Sequence, residues 1–139
     1  DGRRFKIFKL RSLKKISFDK TQQVTKNDKR VLKIGKFIRR YSIDELPQFI
    51  NVLHGDMSIV GPRPLFDEDT KLFDTRYMRR LNVMPGITGL LQINDRNTDD
   101  FSVWFKYDLS YIENWSIYLD LKIMFQTPLA VFKKNKKGL

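Results

Sequence analysis

A chain of 139 residues has room for one sizeable hydrophobic core, so a single domain, residues 1–139, is expected. At 41% hydrophobic and 13% aromatic it is too apolar for a disordered chain, and the absence of cysteine excludes disulfides, thiolate zinc sites, thiol nucleophiles and iron–sulfur clusters. The net charge of +11 is uneven: residues 1–40 carry 15 Lys/Arg against 3 Asp/Glu, residues 41–132 carry 8 against 13, and the last seven add four lysines, a pattern that points to an anionic partner such as nucleic acid, a phosphorylated metabolite or a membrane surface.

In chain order, Arg4–Leu10 alternates Phe5 and Ile7 with Lys6 and reads as a half-buried edge strand. Ser12–Asn27 is polar and lysine-rich, which predicts a mobile loop. Asp28–Tyr41 places Val31, Leu32, Ile34, Ile38 and Tyr41 at near-helical spacing, against the helix cost of Gly35. Ser42 followed by Glu45 is a capping-box pattern, so a helix is expected from about Asp44, with Leu46, Phe49, Ile50 and Leu53 as its apolar face and Gly55 as its stop. Met57–Val60 reads as extended and the following GPRP as non-helical. Asp67–Leu81 has an acidic start and a basic end and predicts a helix. Gly86–Asn94 predicts a turn and a short strand, and Phe101–Asn114 a helix. Ser116 is placed to cap a last helix with Ile117, Leu121, Met124, Phe125 and Phe132 on one face, which Pro128 should end or kink. No apolar run approaches the roughly 18–20 residues that span a bilayer. The expected class is α+β, mostly helical, with a few short strands and amphipathic helices.

With one histidine in the chain, chemistry falls to carboxylates and cations. Asp44 and Glu45 at a helix start are the most informative pair, because an ionised aspartate is a competent nucleophile toward phosphorus and a neighbouring glutamate can hold Mg²⁺. Ordinary helix capping is the competing explanation. Lys9, Arg11, Arg39, Arg40, Arg63 and Arg96 are candidate clamps for a diphosphate, Arg63 foremost because Pro62 and Pro64 restrict its backbone. His54, beside Gly55 at a helix end, suits a surface or dipole-stabilised role. The last helix and the lysines after it fit either an anionic membrane interface or packing on the core.

The motifs FKIFKLRSL (Phe5–Leu13), NDKRVLKIGKFIRRYSIDELPQFINVLHGDMSIVGPRPL (Asn27–Leu65), PGITGLLQIN followed by Arg96, and KYDLSYIENWSIYLDLKIMFQT (Lys106–Thr127) occur in one order over nearly the whole chain. In this combination the chain resembles the bacterial sugar transferases, the monotopic phosphoglycosyl transferases that begin glycan assembly on a polyprenyl phosphate carrier. The resemblance implies a two-step transfer: Asp44 attacks the sugar-linked phosphorus of a UDP-sugar, UMP leaves, and polyprenyl phosphate takes the phosphosugar from the enzyme. Glu45 would bind Mg²⁺, Arg63 with Pro62 and Pro64 would shape the nucleotide site, and Lys9, Arg11 and Arg96 would assist. It also implies the cytoplasmic face of the bacterial inner membrane and leaves a homo-oligomer open. The family places a hydrophobic re-entrant membrane helix before the first motif, and this chain begins at that motif, as expected of a catalytic domain without the anchor. Where the family usually has Trp-Ala-Gln, this chain has Leu90-Leu91-Gln92, a departure at the first two positions.

Two other classes compete. A nucleic-acid-binding module would use the basic first 40 residues, but the acidic middle repels phosphate and no binding motif is present. A non-catalytic membrane-surface adaptor would need only the basic ends and the last helix.

Overall fold

Two three-residue strands at the centre of the molecule, β1 (Ser58–Val60) and β2 (Gly86–Thr88), pair in parallel with Ser58 opposite Gly86 and Val60 opposite Thr88. The computed structural model describes residues 2–14, 29–65, 75–95, 98 and 100–133. Around the strands stand α1 (Lys33–Arg40), a 3₁₀ turn (Ile43–Glu45), α2 (Gln48–Leu53), a 3₁₀ segment (Tyr77–Asn82), α3 (Leu90–Asn94), α4 (Phe101–Glu113) and α5 (Ile117–Lys133). The mostly helical α+β class is as expected. No helix among the described residues is long and apolar enough to cross a membrane.

The strands are short because their surroundings crowd the backbone. A Cβ on Gly86 would stand 2.1 Å from the Gly61 nitrogen, so only glycine permits the pairing. The last ladder bond runs from Gly61 N–H to the Thr88 carbonyl (2.9 Å), and Pro62 then has no N–H to continue. From Leu90 onward the chain therefore lacks a partner strand and satisfies its own backbone as α3, opened by Ile93 N–H to the Gly89 carbonyl. The strand expected within Gly86–Asn94 ends at Thr88 for this reason.

Val60, Tyr111 and Ile123 form the central cluster, flanked by Leu90, Ile93, Ile112 and Leu119. A second cluster packs Tyr77 against Phe101 and Phe105, with ring centroids 4.8 and 5.1 Å apart. The α5 helix is capped by the Ser116 hydroxyl, which accepts from Leu119 N–H (3.1 Å), and runs through Pro128 to Lys133 instead of ending there. Proline denies the Met124 carbonyl its helical partner, and Met124 lies on the exposed side, where water can substitute.

Several expected elements differ. Residues 4–10 are extended but pair with no strand; the amide of Asn51 takes the ladder's place, donating to the Lys6 carbonyl (2.7 Å) and accepting from Phe8 N–H (3.1 Å). Of the predicted loop Ser12–Asn27, Ser12 is buried and Leu13 bridges Val31, while residues 15–28 lie outside the described residues. Helix α1 is shorter than predicted, and its glycine has a packing reason: a Cβ on Gly35 would stand 2.2 Å from the Ser12 carbonyl oxygen. Of the predicted helix Asp67–Leu81, residues 66–74 lie outside the described residues and the remainder is 3₁₀ rather than α.

The largest departure concerns which helix faces are inside. Among the described residues, six apolar side chains are buried against eight polar or charged ones, among them Asp44, Glu45, Gln48 and Asn51. These four occupy one side of the 3₁₀ turn and α2, while Leu46, Phe49, Ile50 and Leu53 face outward. On α5 the apolar face expected from the sequence also lies outward, and the side turned inward carries the buried Ile123 together with Thr127 and Asp120. Its Thr127 hydroxyl bonds the Thr88 hydroxyl (2.8 Å), and its Asp120 accepts from Tyr111 (2.8 Å), while Ile117, Tyr118, Phe125 and Leu129 are exposed.

Candidate active site

The adjacent carboxylates Asp44 and Glu45 are both buried, 7% and 8% exposed. The capping box expected around them does not form. Ser42 adopts φ 58°, the left-handed region, and the N–H of Glu45 is taken by the Ser42 carbonyl (3.0 Å) instead of its hydroxyl. The pair thus sits in a 3₁₀ turn, and α2 begins only at Gln48.

Two remote segments complete the site. Leu10 N–H donates to the Asp44 carbonyl (3.0 Å), which sets the extended first segment against the turn and brings Lys9 Nζ to 3.5 Å from Glu45 Oε1. From the other side, the chain leaving β1 brings Arg63 Nη1 to 3.5 Å from the same oxygen. Pro62 is buried and its carbonyl accepts from Gly86 N–H (2.8 Å), while Arg80 donates to the Arg63 carbonyl. The Pro-Arg-Pro segment is therefore tied down on both sides of the Arg63 side chain. Behind it, Arg80 pairs with Asp108 (3.2 Å), which also accepts from the Tyr77 hydroxyl (2.8 Å), all within the interior.

Lys9, Glu45, Gln48, Arg63 and Pro64 line a cavity closed by Ile7 and the start of β2. Asp44 stands beside it, one residue before Glu45. Burial pushes the Lys9 ammonium below the ordinary lysine value, and Arg63 pushes the same way; the carboxylates of Glu45 and Asp44 pull it back. The cations are each about a third exposed and meet Glu45 at long range, so an incoming anion can recruit them without breaking a tight pair. The cleft thus offers two carboxylates and two cations, a set suited to a phosphorylated ligand.

Of the predicted site residues, Asp44, Glu45, Lys9, Pro62, Arg63 and Pro64 come together. Arg11 is exposed, and no hydrogen bond or ion pair among the described residues ties it to the dyad. Arg96 lies outside the described residues. Arg39 instead donates to the Ser12 hydroxyl (3.3 Å), Arg40 lies over the Tyr41 ring, and His54 meets the edge of Phe8. Gln48 was missed from sequence, although it follows Asp44 by four residues and Glu45 by three, the spacing of one helical face.

Among the described residues no group of three or more metal-ligating side chains gathers. Mg²⁺ does not require one, since it is commonly held by one or two carboxylates with substrate phosphates and waters filling its shell. The buried oxygen donors of Asp44 and Glu45 fit that habit.

The family profile of the bacterial sugar transferases matches residues 1–134. The chain belongs to the bacterial sugar transferase family. This sugar transferase domain is 51% identical over 142 residues to the UDP-glucose:undecaprenyl-phosphate glucose-1-phosphate transferase of Klebsiella pneumoniae, covering 96% of the chain and 30% of that protein. It is 49% identical to the protein of the same name from Escherichia coli K12, again over 96% and 30%. With the galactosyl transferase CpsE of Streptococcus agalactiae it shares 46% over 140 residues, 91% of the chain and 31% of that protein. The sugar transferase domain thus spans less than a third of each of these relatives.

Proposed function

We propose that this domain transfers a sugar 1-phosphate from a UDP-sugar to polyprenyl phosphate by way of a covalent intermediate on Asp44. The carrying observation is the placement of Glu45 between Lys9 and Arg63, with Asp44 buried beside it. In the first step an Asp44 carboxylate oxygen attacks the sugar-linked phosphorus. The phosphoanhydride bond breaks, and UMP departs with the bridging oxygen and the electron pair. In the second, an oxygen of polyprenyl phosphate attacks the same phosphorus, the acyl-phosphate bond breaks, and the Asp44 carboxylate is regenerated. Both steps bring anions together, and Lys9 and Arg63 offset that repulsion. Mg²⁺, held by Glu45 with Asp44 alongside, would neutralise charge developing on the phosphoryl oxygens when bound. The named substrates of the K. pneumoniae and E. coli relatives support this class of donor and acceptor, and the galactosyl name of the S. agalactiae relative extends it beyond glucose. Incubation with Mg²⁺ and a UDP-sugar, without acceptor, is expected to release UMP and leave one phosphosugar mass on the Asp44 peptide; an adduct on another residue overturns the assignment.

The acceptor is a lipid phosphate, and the exposed apolar sides of α1 and α5 supply a face for its membrane. Ring contacts join Phe37 of α1 to Tyr41 (4.9 Å) and Tyr41 to Phe132 of α5 (6.2 Å), so the exposed apolar sides of these helices form one surface. Lys33, Lys36 and Arg40 border it. Contiguous apolar surface of this kind marks an interaction site, and apolar residues rimmed by cations suit the headgroup boundary of an anionic bilayer. The reading places the domain on the cytoplasmic face of the bacterial inner membrane. Phe37 and Phe125 are 56% and 77% exposed, so Phe37→Asp and Phe125→Asp should leave thermal stability unchanged while weakening binding to vesicles containing anionic phospholipid about tenfold or more. Undiminished flotation with such vesicles would place the docking face elsewhere.

The Lys9 environment sets a pH dependence. Its folded-state pKa lies below that of an ordinary lysine, so its charge is lost as pH rises earlier than an exposed lysine would lose it. If Lys9⁺ clamps the donor, kcat/KM for the UDP-sugar should fall along an alkaline limb that lies below the usual lysine range. Lys9→Arg should carry that limb to higher pH, whereas an identical profile in the variant removes Lys9 from donor binding.

A further inference from the structure

Four polar side chains share the inward face of the 3₁₀ turn and α2: Asp44, Glu45, Gln48 and Asn51. Asn51 is bonded through both ends of its amide to the extended first segment, and Glu45 meets Lys9 and Arg63. Gln48 differs. It is 3% exposed and lines the cavity with Lys9, Glu45 and Arg63, yet its side-chain amide makes no hydrogen bond among the described residues.

The Gln48 amide is not among the fully enclosed polar atoms that lack a partner, so its two donors and its acceptor open onto the cavity, where a ligand can meet them. Leucine or methionine would fill the same volume with no polar group to desolvate. A glutamine retained there, facing two cations across a cavity, is suited to a ligand that completes the bonding. The cations select an anionic ligand, and the amide N–H groups can donate to its oxygens alongside them. We infer that Gln48 is a substrate-contacting residue, its side-chain N–H donating to a phosphoryl oxygen of the nucleotide-sugar diphosphate. This rests on the reading of the cavity as the donor-diphosphate site. It assigns to Gln48 a role separate from the nucleophile and from the metal: a neutral donor that holds the diphosphate without adding charge.

The test pairs Gln48→Met, which keeps volume and removes the donors, with Gln48→Glu, which keeps shape and places a carboxylate against the diphosphate. Each is measured by calorimetric binding of UDP-glucose and of inorganic diphosphate, by the KM for UDP-glucose and for polyprenyl phosphate, and by Tm. Gln48→Met is expected to weaken both ligands about tenfold and to raise the UDP-glucose KM alike. The kcat and the polyprenyl phosphate KM should stay within about twofold, since loss of uniform binding appears in KM alone. Gln48→Glu should be weaker still. The Tm of Gln48→Met should hold, because the amide opens onto the cavity and bonds no other described residue; a purely structural glutamine predicts the opposite, a lower Tm with unchanged affinity, and that result overturns the inference. So does a loss confined to the polyprenyl phosphate KM, which would place Gln48 on the acceptor side. Binding that weakens in the variants of a protein that releases no UMP would keep the Gln48 assignment and sink the transferase reading. Wild-type turnover with unaltered Gln48→Met affinity would do the reverse, and failure of the wild-type protein to bind either ligand overturns both.

Discussion

Asp44→Asn is expected to abolish UMP release from a UDP-sugar, by roughly 10⁴-fold or more, with the fold intact. Asparagine has the shape of aspartate, and the contact that seats this residue against the first segment uses its backbone carbonyl, bonded to Leu10 N–H, which the substitution retains. What is lost is the anionic oxygen that can displace a nucleotide from phosphorus. The loss should be total for the first half-reaction, so the phosphosugar adduct disappears together with UMP. Glu45→Gln should behave differently. Glu45 faces Lys9 and Arg63 rather than carrying the covalent bond, so a residual adduct should still be detectable on Asp44 after long incubation. Equal turnover in Asp44→Asn and wild-type protein, at matched Tm, would remove Asp44 from the chemistry and place the nucleophile on another residue.

The second large effect is structural. Asp108→Ala should destabilise the domain by about 3–5 kcal/mol in urea unfolding, a large part of the roughly 5–15 kcal/mol typical of a folded domain. The side chains of Arg80 and Asp108 are only 5% and 4% exposed, so the variant removes a carboxylate that Arg80 pairs with inside the molecule. The Tyr77 hydroxyl loses its acceptor at the same time. Burial pushes the Asp108 carboxyl above its ordinary value, and Arg80 and the Tyr77 hydroxyl oppose that shift, so the ion pair depends on Arg80 remaining in place. Arg80→Ala and Asp108→Ala should accordingly be far from additive in a double-mutant cycle. Because Arg80 also donates to the Arg63 carbonyl, either loss should loosen the Pro-Arg-Pro segment as well as lower stability. A destabilisation below about 1 kcal/mol for Asp108→Ala would show that the interior tolerates loss of this carboxylate and that this network is not what secures Arg63.

Much of the site was legible from residue types alone. The adjacent carboxylates and the arginine between two prolines are local features, and they converge in space as expected of the family. The failed expectations share one cause, which is dependence on distant partners. The edge strand over residues 4–10 could not be distinguished by its alternation from an extended segment whose hydrogen bonds go to the Asn51 side chain, more than 40 residues away. The capping box around Ser42 matched a local pattern, but the turn that seats Asp44 against Leu10 takes Ser42 into the left-handed region, where its carbonyl, not its hydroxyl, meets Glu45.

The uneven charge and the helical periodicity of α2 and α5 were fully present in the sequence. Periodicity establishes that a helix has an apolar side and a polar side; it carries no information on which of them turns inward. That was decided by tertiary structure. Lys6, Phe8, Lys9 and Arg63 supply hydrogen bonds and opposite charge to the polar side of the 3₁₀ turn and α2, while on α5 Thr88 and Tyr111 bond Thr127 and Asp120 on the side that also buries Ile123. With those partners in place the carboxylates, Gln48 and Asn51 can be buried, and Leu53 and Phe125 are left at the surface. The sequence by itself thus determined which residues could perform phosphoryl chemistry. Only the fold, by satisfying polar groups across long separations, determined that they would be enclosed and that the apolar faces would be left outside.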